Sequence, residues 1–554
     1  MGVFMLLELK NRRIRRFRTA RPINYIVCTG VLLGVLAGCS TEHYKAEADK
    51  ETYKIIENKW QDDFGIKANY TISDYNDPAA PNDVEIAEMI PSSGVINLQQ
   101  AVKIATKFNR DYQTQKEALY LSALDLTLTR HQYARQWFGT VDGSYIDDKS
   151  NGDDMRLDTS GGVDQQLLLF EGMLLNIGIA IDWTRFLTGD PRTTLGSVLS
   201  GDVDVPLLGN GAGKTAQENL TQAERNVLYR IRTFNRFRKT FVVSIISDYY
   251  RVLQQRNSVE IVEASYQRLI DSTKQLEMEA EVGQRAPSDA DEAKQDLLNA
   301  ENNLVITKQR YEELLDRFKI RLSLPTDANI ALDQNELAAL EEIGTSQPEY
   351  TEEEAMNLAS VCRLDLANTR NILDDSARKL ELAAEGLGVQ LNLLGSANVS
   401  SADKTDFDRL QFHQGQYSLA FATDLPFDRK AERNAYREAL ITMEQQNRSY
   451  DEQADNVKLD VRQAYRDLIE TAESYRIQKL GLELAERRVE EQKLLLEYGR
   501  GTIRLLLETE DALVRAQNDL MGALVDHTIA KMTFFRDVGI LQVKPDGMWE
   551  QKVQ

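Results

Sequence analysis

Residues 416–427 read Gln-Tyr-Ser-Leu-Ala-Phe-Ala-Thr-Asp-Leu-Pro-Phe, and this stretch decides the fold class. From Tyr417 to Phe427 the odd positions hold large, mostly apolar side chains, and the positions between them are mostly small or polar. A period of two is typical of a β-strand with one apolar and one polar face. Residues 389–399 alternate in the same way, so residues 388–427 predict a β-hairpin. Such strands fit a membrane barrel with a wet interior, and the alternative is a sheet that covers a soluble core.

The chain contains this unit twice. Asp204-Val205-Pro206-Leu207 resembles Asp424-Leu425-Pro426-Phe427, and the first copy has further alternating strands within about 137–207. Downstream, six identical pairs share one constant offset along the chain: Tyr249 and Tyr465, Gly283 and Gly499, Leu297 and Leu513, Ala300 and Ala516, Asn302 and Asn518, and Leu304 and Leu520. An ordered series on a single offset, which we call the repeat offset, indicates an internal repeat.

Helical segments surround each hairpin. Residues 97–136 and 351–387 predict helices with polar N-terminal starts. Residues 214–282 and 429–498 contain no proline and a single glycine, Gly481, and predict two very long helices packed along an apolar seam. Each long helix ends at a glycine-containing turn and a shorter helix returns. We therefore place the first repeat at 96–325, a linker at 326–350, the second repeat at 351–540 and a C-terminal tail at 541–554.

The N-terminus predicts export. Seven basic residues and one acid precede a mostly apolar run, 23–37, which closes on Leu36-Ala37-Gly38-Cys39. This is the layout of a secretory signal, and the run is too short for a permanent helical span. At these positions the chain resembles a bacterial lipoprotein precursor. The resemblance implies that residues 1–38 are removed, that Cys39 carries a covalent lipid, and that Ser40 favours the outer membrane. Residues 39–95 then form an N-terminal extension. The alternative is an ordinary secretory signal in which Cys39 is incidental.

Composition narrows the function classes. The net charge of -21 disfavours a nucleic-acid partner. Three cysteines and four scattered histidines indicate no metal site, and no nucleophile–base pattern indicates an enzyme. Residues 209–215 read Gly-Asn-Gly-Ala-Gly-Lys-Thr, but Leu208 stands where a phosphate-binding loop needs its first glycine. The stretch fits a strand-to-helix corner better.

With a lipoprotein signal, a doubled helix–hairpin–helix unit and glycine-containing helix tips, the chain resembles the TolC-like outer-membrane efflux protein family over roughly residues 90–540. The resemblance implies a mainly α-helical fold with a transmembrane β part. Three copies would form a 12-stranded β-barrel, four strands from each, continued by a periplasmic α-helical barrel. It also implies a passive exit duct for an efflux pump or secretion system, with a periplasmic adaptor and an inner-membrane pump as partners, and no cofactor beyond the lipid. The alternative is a lipid-anchored periplasmic adaptor.

The strand count departs from that family pattern. Residues 173–183 alternate between apolar and other side chains, and they follow residues 163–170 and the turn Glu171-Gly172. This extra hairpin-like stretch is not part of the minimal family unit, so the number of strands stays open at this point.

The resemblance also points to residues at the helix tips. The family narrows its duct just after the second tip, at positions that correspond here to Leu505 and Glu508, and Arg500 and Arg504 could pair with acids there. A ring of carboxylates would favour cations. The alternative is that these are solvated residues at a helix start. The turns themselves, at Gly283, Arg285, Gly499 and Gly501, are the expected adaptor-docking points.

Overall fold

A computed structural model of the chain describes residues 40–61, 64–67, 69–72, 90–91, 93–148, 154–169, 173–186, 193–209, 211–284, 286–345, 350–401, 409–425, 427–498, 500–544 and 549–551. The chain divides into two compact units, residues 1–52 and 53–554. Cys39 and the predicted signal lie outside the described residues. Helix α1 (Thr41–Lys59) begins in the first unit and ends in the second.

The first copy of the repeat has two short helices, four strands and two long helices. In chain order these are α2 (Leu98–Phe108), α3 (Arg110–Gln132), β2 (Gln136–Asp148), β3 (Asp154–Leu168), β4 (Leu174–Phe186), β5 (Thr193–Leu208), α4 (Gly211–Glu281) and α5 (Pro287–Arg321), preceded by the short strand β1 (Val95–Ile96). Helix α2 begins at a capping box in which Asn97 and Gln100 each satisfy the other's backbone N–H.

The second copy follows the same order with two strands instead of four. Its elements are α7 (Glu352–Cys362), α8 (Leu364–Glu385), β7 (Gln390–Ser400), β8 (Gln416–Asp424), α9 (Lys430–Glu497) and α10 (Ile503–Val538). Helix α7 begins at another capping box, formed by Thr351 and Glu354. The linker between the copies contains β6 (Ala331–Leu332), which pairs in parallel with β1, and α6 (Asn335–Ile343). After α10, β9 (Leu541–Val543) pairs with β10 (Trp549–Gln551).

One antiparallel sheet joins the two copies, with strand order β2-β3-β4-β5-β7-β8. The described residues thus supply six strands to this sheet, where the family resemblance implies four. The physical reason is an inserted hairpin, β3 and β4, between the strand that leaves α3 and the strand that enters α4. The alternating run predicted at 173–183 lies in β4 from Leu174 onward.

The helical parts of the copies repeat in three dimensions. Phe318 on α5 and Phe534 on α10 are separated by the repeat offset, and both are buried. Each ring lies 6.0 Å from a tyrosine ring of its own long helix, Tyr249 for Phe318 and Tyr465 for Phe534. The same neighbour at the same offset is the arrangement expected of a duplicated unit, because the buried seam is the part of a repeat that packing constrains most.

The corner between sheet and helix depends on Gly209. This residue has a φ of +62° and follows directly after β5. A Cβ at this position would lie 2.3 Å from the carbonyl oxygen of Val389, just before β7. Only glycine fits both conditions, so Gly209 is explained by a backbone contact between the two copies.

Candidate functional site: helix tips and sheet faces

The first helix tip is a glycine-terminated turn. Gly283 has a φ of +74°, its N–H donates to the carbonyl of Ala280 at 3.1 Å, and the N–H of Gln284 donates to the carbonyl of Glu279 at 2.8 Å. These bonds close the end of α4 as a left-handed C-cap. Pro287 at the first position of α5 then starts the return helix. Arg285, predicted as a docking residue here, lies outside the described residues.

The second tip closes with a different hydrogen-bond pattern. The N–H groups of Arg500 and Gly501 both donate to the carbonyl of Leu495, each at 2.9 Å. A Cβ on Gly501 would lie 2.9 Å from the backbone nitrogen of Leu496, so this turn also requires glycine. Thr502 caps α10 by accepting from the N–H of Leu505 at 3.4 Å. Gly499 lies outside the described residues.

The two tips pack on each other through a separate hydrophobic cluster. Its buried members are Leu269 and Leu276 from α4, Ala293 from α5, and Ile503 and Leu507 from α10. Helices from both copies therefore meet at the tip end. This packing brings the turns of the two copies close together in space.

The structure places one of the predicted constriction residues, Arg504, in an ion pair with the first copy. Arg504 Nε donates to Glu292 Oε1 of α5 at 2.8 Å, and this contact raises the pKa of the Arg504 guanidinium. Glu508 and Leu505 are both exposed on the first turns of α10, and Arg500 is exposed on the turn. Glu292 and Glu508 occupy equivalent positions in the two copies, separated by the repeat offset. The acid that pairs with Arg504 is therefore the first-copy counterpart of the predicted constriction residue.

Glu510 is a charged tip residue that the sequence analysis missed. It is buried, and it forms ion pairs with Arg268 Nε at 3.2 Å and Lys493 Nζ at 2.8 Å. It thereby ties α10 to both long helices. Nothing in the linear pattern separates it from the many exposed acids of α10, since the partners come from distant parts of the chain.

Exposed apolar pairs flank both tips and were also missed. On α4, Met278 is 61% exposed and Val282 just beyond the helix is 70% exposed. On the second copy Leu494 is 49% exposed and Tyr498 is 77% exposed. The members of each pair stand one helical turn apart, and the two pairs are again separated by the repeat offset. We call these two apolar pairs at equivalent positions the tip patches. Comparing the two copies position by position could have found them.

The sheet has two faces of opposite character. One face, formed by odd-numbered residues, presents exposed apolar side chains on five of its six strands, among them Trp137, Val141, Tyr145, Val163, Ile177, Ile179, Ile181, Leu207, Tyr417, Leu419 and Phe421. The other face, formed by even-numbered residues, contains most of the polar side chains. Among its described side chains are six aspartates, namely Asp142, Asp158, Asp164, Asp182, Asp202 and Asp204, and one arginine, Arg156, which pairs with Asp158 at 3.1 Å.

The polar face is closely packed around one glycine. Gly178 occupies an even position of β4, and a Cβ on this residue would lie 2.2 Å from Asp164 Oδ1 and 2.6 Å from Ser200 Oγ. Gly178 therefore leaves room for a carboxylate and a hydroxyl from the strands on either side. On β7 and β8 the hydroxyl oxygens of Ser396 and Ser418 lie 2.7 Å apart across the strand pair.

Within the described residues, no group of three or more histidine, cysteine, aspartate or glutamate side chains could hold a metal ion. No helix in the described part of the chain combines the length and the hydropathy needed to cross a bilayer.

An antiparallel sheet with one apolar face, joined to two pairs of long antiparallel helices, is the fold of TolC-like outer-membrane channels. Solved structures agree. The outer-membrane channel OprN superposes with a TM-score of 0.57 at 13% identity, over 86% of this chain and 96% of that one. The Campylobacter jejuni CmeC outer-membrane channel superposes with a TM-score of 0.56 at 12% identity, over 89% of this chain and 93% of that one.

The open state of the Neisseria gonorrhoeae MtrE outer-membrane channel gives a TM-score of 0.57 at 13% identity, over 81% of this chain and 90% of that one. Neither a protein-family model nor a curated protein sequence matches the chain. The similarity is therefore one of fold, and it extends along nearly the whole length of these channels.

Proposed function

We propose that this protein is the outer-membrane exit duct of a tripartite efflux pump or a type I secretion system, and acts as a passive channel and not as an enzyme. The observation that carries the proposal is the joined sheet with one exposed apolar face. No element in the described part of the chain covers this apolar face. Lipid is the environment that such a face fits. The solved channels with the same fold support this reading.

Three copies would form the duct. A sheet with two open edges cannot lie in lipid, because unpaired backbone groups there cost several kcal/mol each. Pairing β8 of one chain with β2 of the next removes the edges. The long helices would then continue the barrel into the periplasm. Cys39 would carry the lipid that anchors each chain, and a passive duct would need no cofactor beyond that lipid.

The tips would dock the partners. The tip patches at Met278, Val282, Leu494 and Tyr498 surround the predicted docking turns, and an apolar helical hairpin tip of a periplasmic adaptor is the partner that such small, paired patches suit. The inner-membrane pump would act through that adaptor. Close behind the patches, Glu508, Leu505, Arg500 and Arg504 would line the constriction of the duct, with Glu292 as the acid that pairs with Arg504.

The channel itself is tested by reconstitution of the full mature chain in planar bilayers. A duct gives stepwise conductance without added nucleotide, and cross-linking of outer-membrane vesicles traps a trimer. The adaptor alternative predicts neither a conductance nor an outer-membrane trimer, so that result would reject the proposal. Metabolic labelling with a clickable fatty acid tests the anchor, since Cys39→Ser should abolish the label.

Docking is tested with a photo-crosslinking amino acid placed at Val282 in native membranes. We expect a specific adduct with a periplasmic protein. The matched control is Val361, which is 79% exposed at the end of α7 and lies in a different part of the fold. Equal cross-linking from Val282 and Val361 would show that the tip patch has no special role.

A further inference from the structure

The inserted hairpin keeps the faces of the sheet in phase. Tyr145 pairs with Leu157, Leu157 pairs with Arg185, and Arg185 pairs with Thr193. All four are odd-numbered residues, so the odd-numbered residues of β2 and β5 lie on the same face of the sheet with or without the hairpin. The insertion therefore adds two whole strands to the sheet and does not disturb the alternation on either side of it.

The hairpin is built like the rest of the sheet. Strand β3 pairs with β2 over the full register from Asp148–Asp154 to Gln136–Gln166, and β4 pairs with both β3 and β5 in an unbroken register. Val163, Ile177, Ile179 and Ile181 continue the exposed apolar face across it. A hairpin that folded over a soluble core or plugged a lumen would not need this continuous apolar row.

The two edges of the sheet fit each other. Six alternating strands leave β2 and β8 running in opposite directions, which is the condition for β8 of one chain to pair antiparallel with β2 of a neighbouring copy. Both edge strands also present apolar side chains on the same face, Val141 and Tyr145 on β2 and Leu419 and Phe421 on β8. The occupant that these edges fit is therefore another copy of this chain.

From these observations we infer that the trimer closes an eighteen-stranded barrel, whose mouth passes peptide-sized cationic cargo. The inference rests on the proposed channel function and adds its width and charge. At a strand spacing of about 4.8 Å and a tilt near 40°, the backbone diameter is roughly 36 Å for eighteen strands and roughly 24 Å for twelve. After side chains are allowed for, the open width rises from about 14 Å to about 26 Å.

The inserted hairpin also contributes three of the six described aspartates on the polar face. Asp158, Asp164 and Asp182 lie on β3 and β4, and the other three described aspartates of this face lie on β2 and β5. Against six carboxylates the face has one described guanidinium, that of Arg156. When this face lines a pore, the excess of carboxylates attracts cations and repels anions.

The width is tested by polymer exclusion on the full mature chain in planar bilayers, with poly(ethylene glycol) added only on the barrel side. A polymer about 20 Å across should enter the wild-type mouth and lower its conductance. The matched variant replaces residues 146–192 by Asn-Gly, a two-residue turn that joins Tyr145 to Thr193 in their existing register. It should still conduct and should exclude the same polymer.

The outcomes separate the width from the channel function. A conducting wild-type trimer that excludes this polymer overturns the eighteen-stranded mouth and leaves the exit duct intact. A wild-type chain that forms no conducting trimer overturns both. If the deletion variant does not assemble, the wild-type measurement alone still decides, since entry of the polymer requires the wider barrel.

The charge is tested by the triple variant Asp158→Asn, Asp164→Asn and Asp182→Asn. We expect its potassium-to-chloride permeability ratio to fall at least about twofold relative to the wild type. The control is Asp147→Asn, an aspartate of β2 on the opposite face of the sheet. An unchanged ratio in the triple variant, or an equal fall in the control, would overturn the acidic lining.

Discussion

Replacement of Gly209 by alanine tests whether the corner between sheet and helix is as constrained as its geometry indicates. The left-handed backbone costs a non-glycine residue about 1–2 kcal/mol. The added Cβ would also lie 2.3 Å from the carbonyl oxygen of Val389. Moving that backbone away by about 1 Å adds roughly 2 kcal/mol, as other overpacked sites do. The free energy of unfolding should therefore fall by about 3–4 kcal/mol.

Two other glycines serve as graded controls. Gly283 has a φ of +74° but open space around its Cβ position, so Gly283→Ala should cost only about 1 kcal/mol. Gly196 in β5 has open space within 4 Å and is not among the glycines with positive φ. Gly196→Ala should therefore change stability by less than about 0.5 kcal/mol.

Thermal unfolding in detergent, followed by circular dichroism at a fixed scan rate, measures the series. For a chain of 554 residues the unfolding entropy makes about 1 kcal/mol equal to about 1 °C. We expect midpoint shifts of about 3–4 °C for Gly209→Ala, about 1 °C for Gly283→Ala and almost none for Gly196→Ala. A Gly209→Ala midpoint within about 1 °C of the Gly196→Ala midpoint would refute the steric argument.

Three further predictions concern the helical part. Phe318→Ala and Phe534→Ala should each lower the free energy of unfolding by about 3–5 kcal/mol. The two losses should agree within about 1 kcal/mol, because the two rings are buried in equivalent places. Chemical denaturation of each variant measures the losses, and a large difference would contradict the equivalence. Burial lowers the pKa of Lys116 to about 8. The folded protein thus bears the cost of a buried ammonium below pH 8 and loses that cost as the pH rises toward the ordinary lysine range. Lys116→Met should stabilise the protein by roughly 2–3 kcal/mol at pH 7, and thermal scans should show this gain shrinking above pH 8. Arg504→Ala removes an exposed ion pair and should change the open probability in bilayers by no more than about fivefold, and by less at high salt. Glu510→Gln leaves two cations without their buried carboxylate and should change the open probability more.

Much of the architecture could be predicted from linear pattern. The change of the apolar period from about 3.6 to two distinguished helices from strands. The absence of proline and the near-absence of glycine predicted two long helices, whose bounds lie close to the structural ones, Gly211–Glu281 and Lys430–Glu497. The equivalent residues of the repeat, such as Gly283 and Gly499, could be aligned because the same packing constrains both copies.

The candidate site was predicted less completely. Gly283 and Gly501 follow from the need for tight turns, but Glu510 and the tip patches depend on which side chains neighbouring helices cover. The sequence shows that Glu510 is an acid on a helix, and only the approach of Arg268 and Lys493 makes it a buried ion-paired one.

The sequence by itself determined the repeat, the helix and strand order and the positions that require glycine, since these depend on local backbone conformation and on periods of a few residues. The tertiary structure alone decided that β3 and β4 belong to the same sheet as β7 and β8, and that the six described aspartates share its polar face. Strand pairing is a contact between distant segments, here β5 with β7, which the whole of α4 and α5 separates along the chain. A local pattern specifies which face a strand buries, but it does not specify its neighbour.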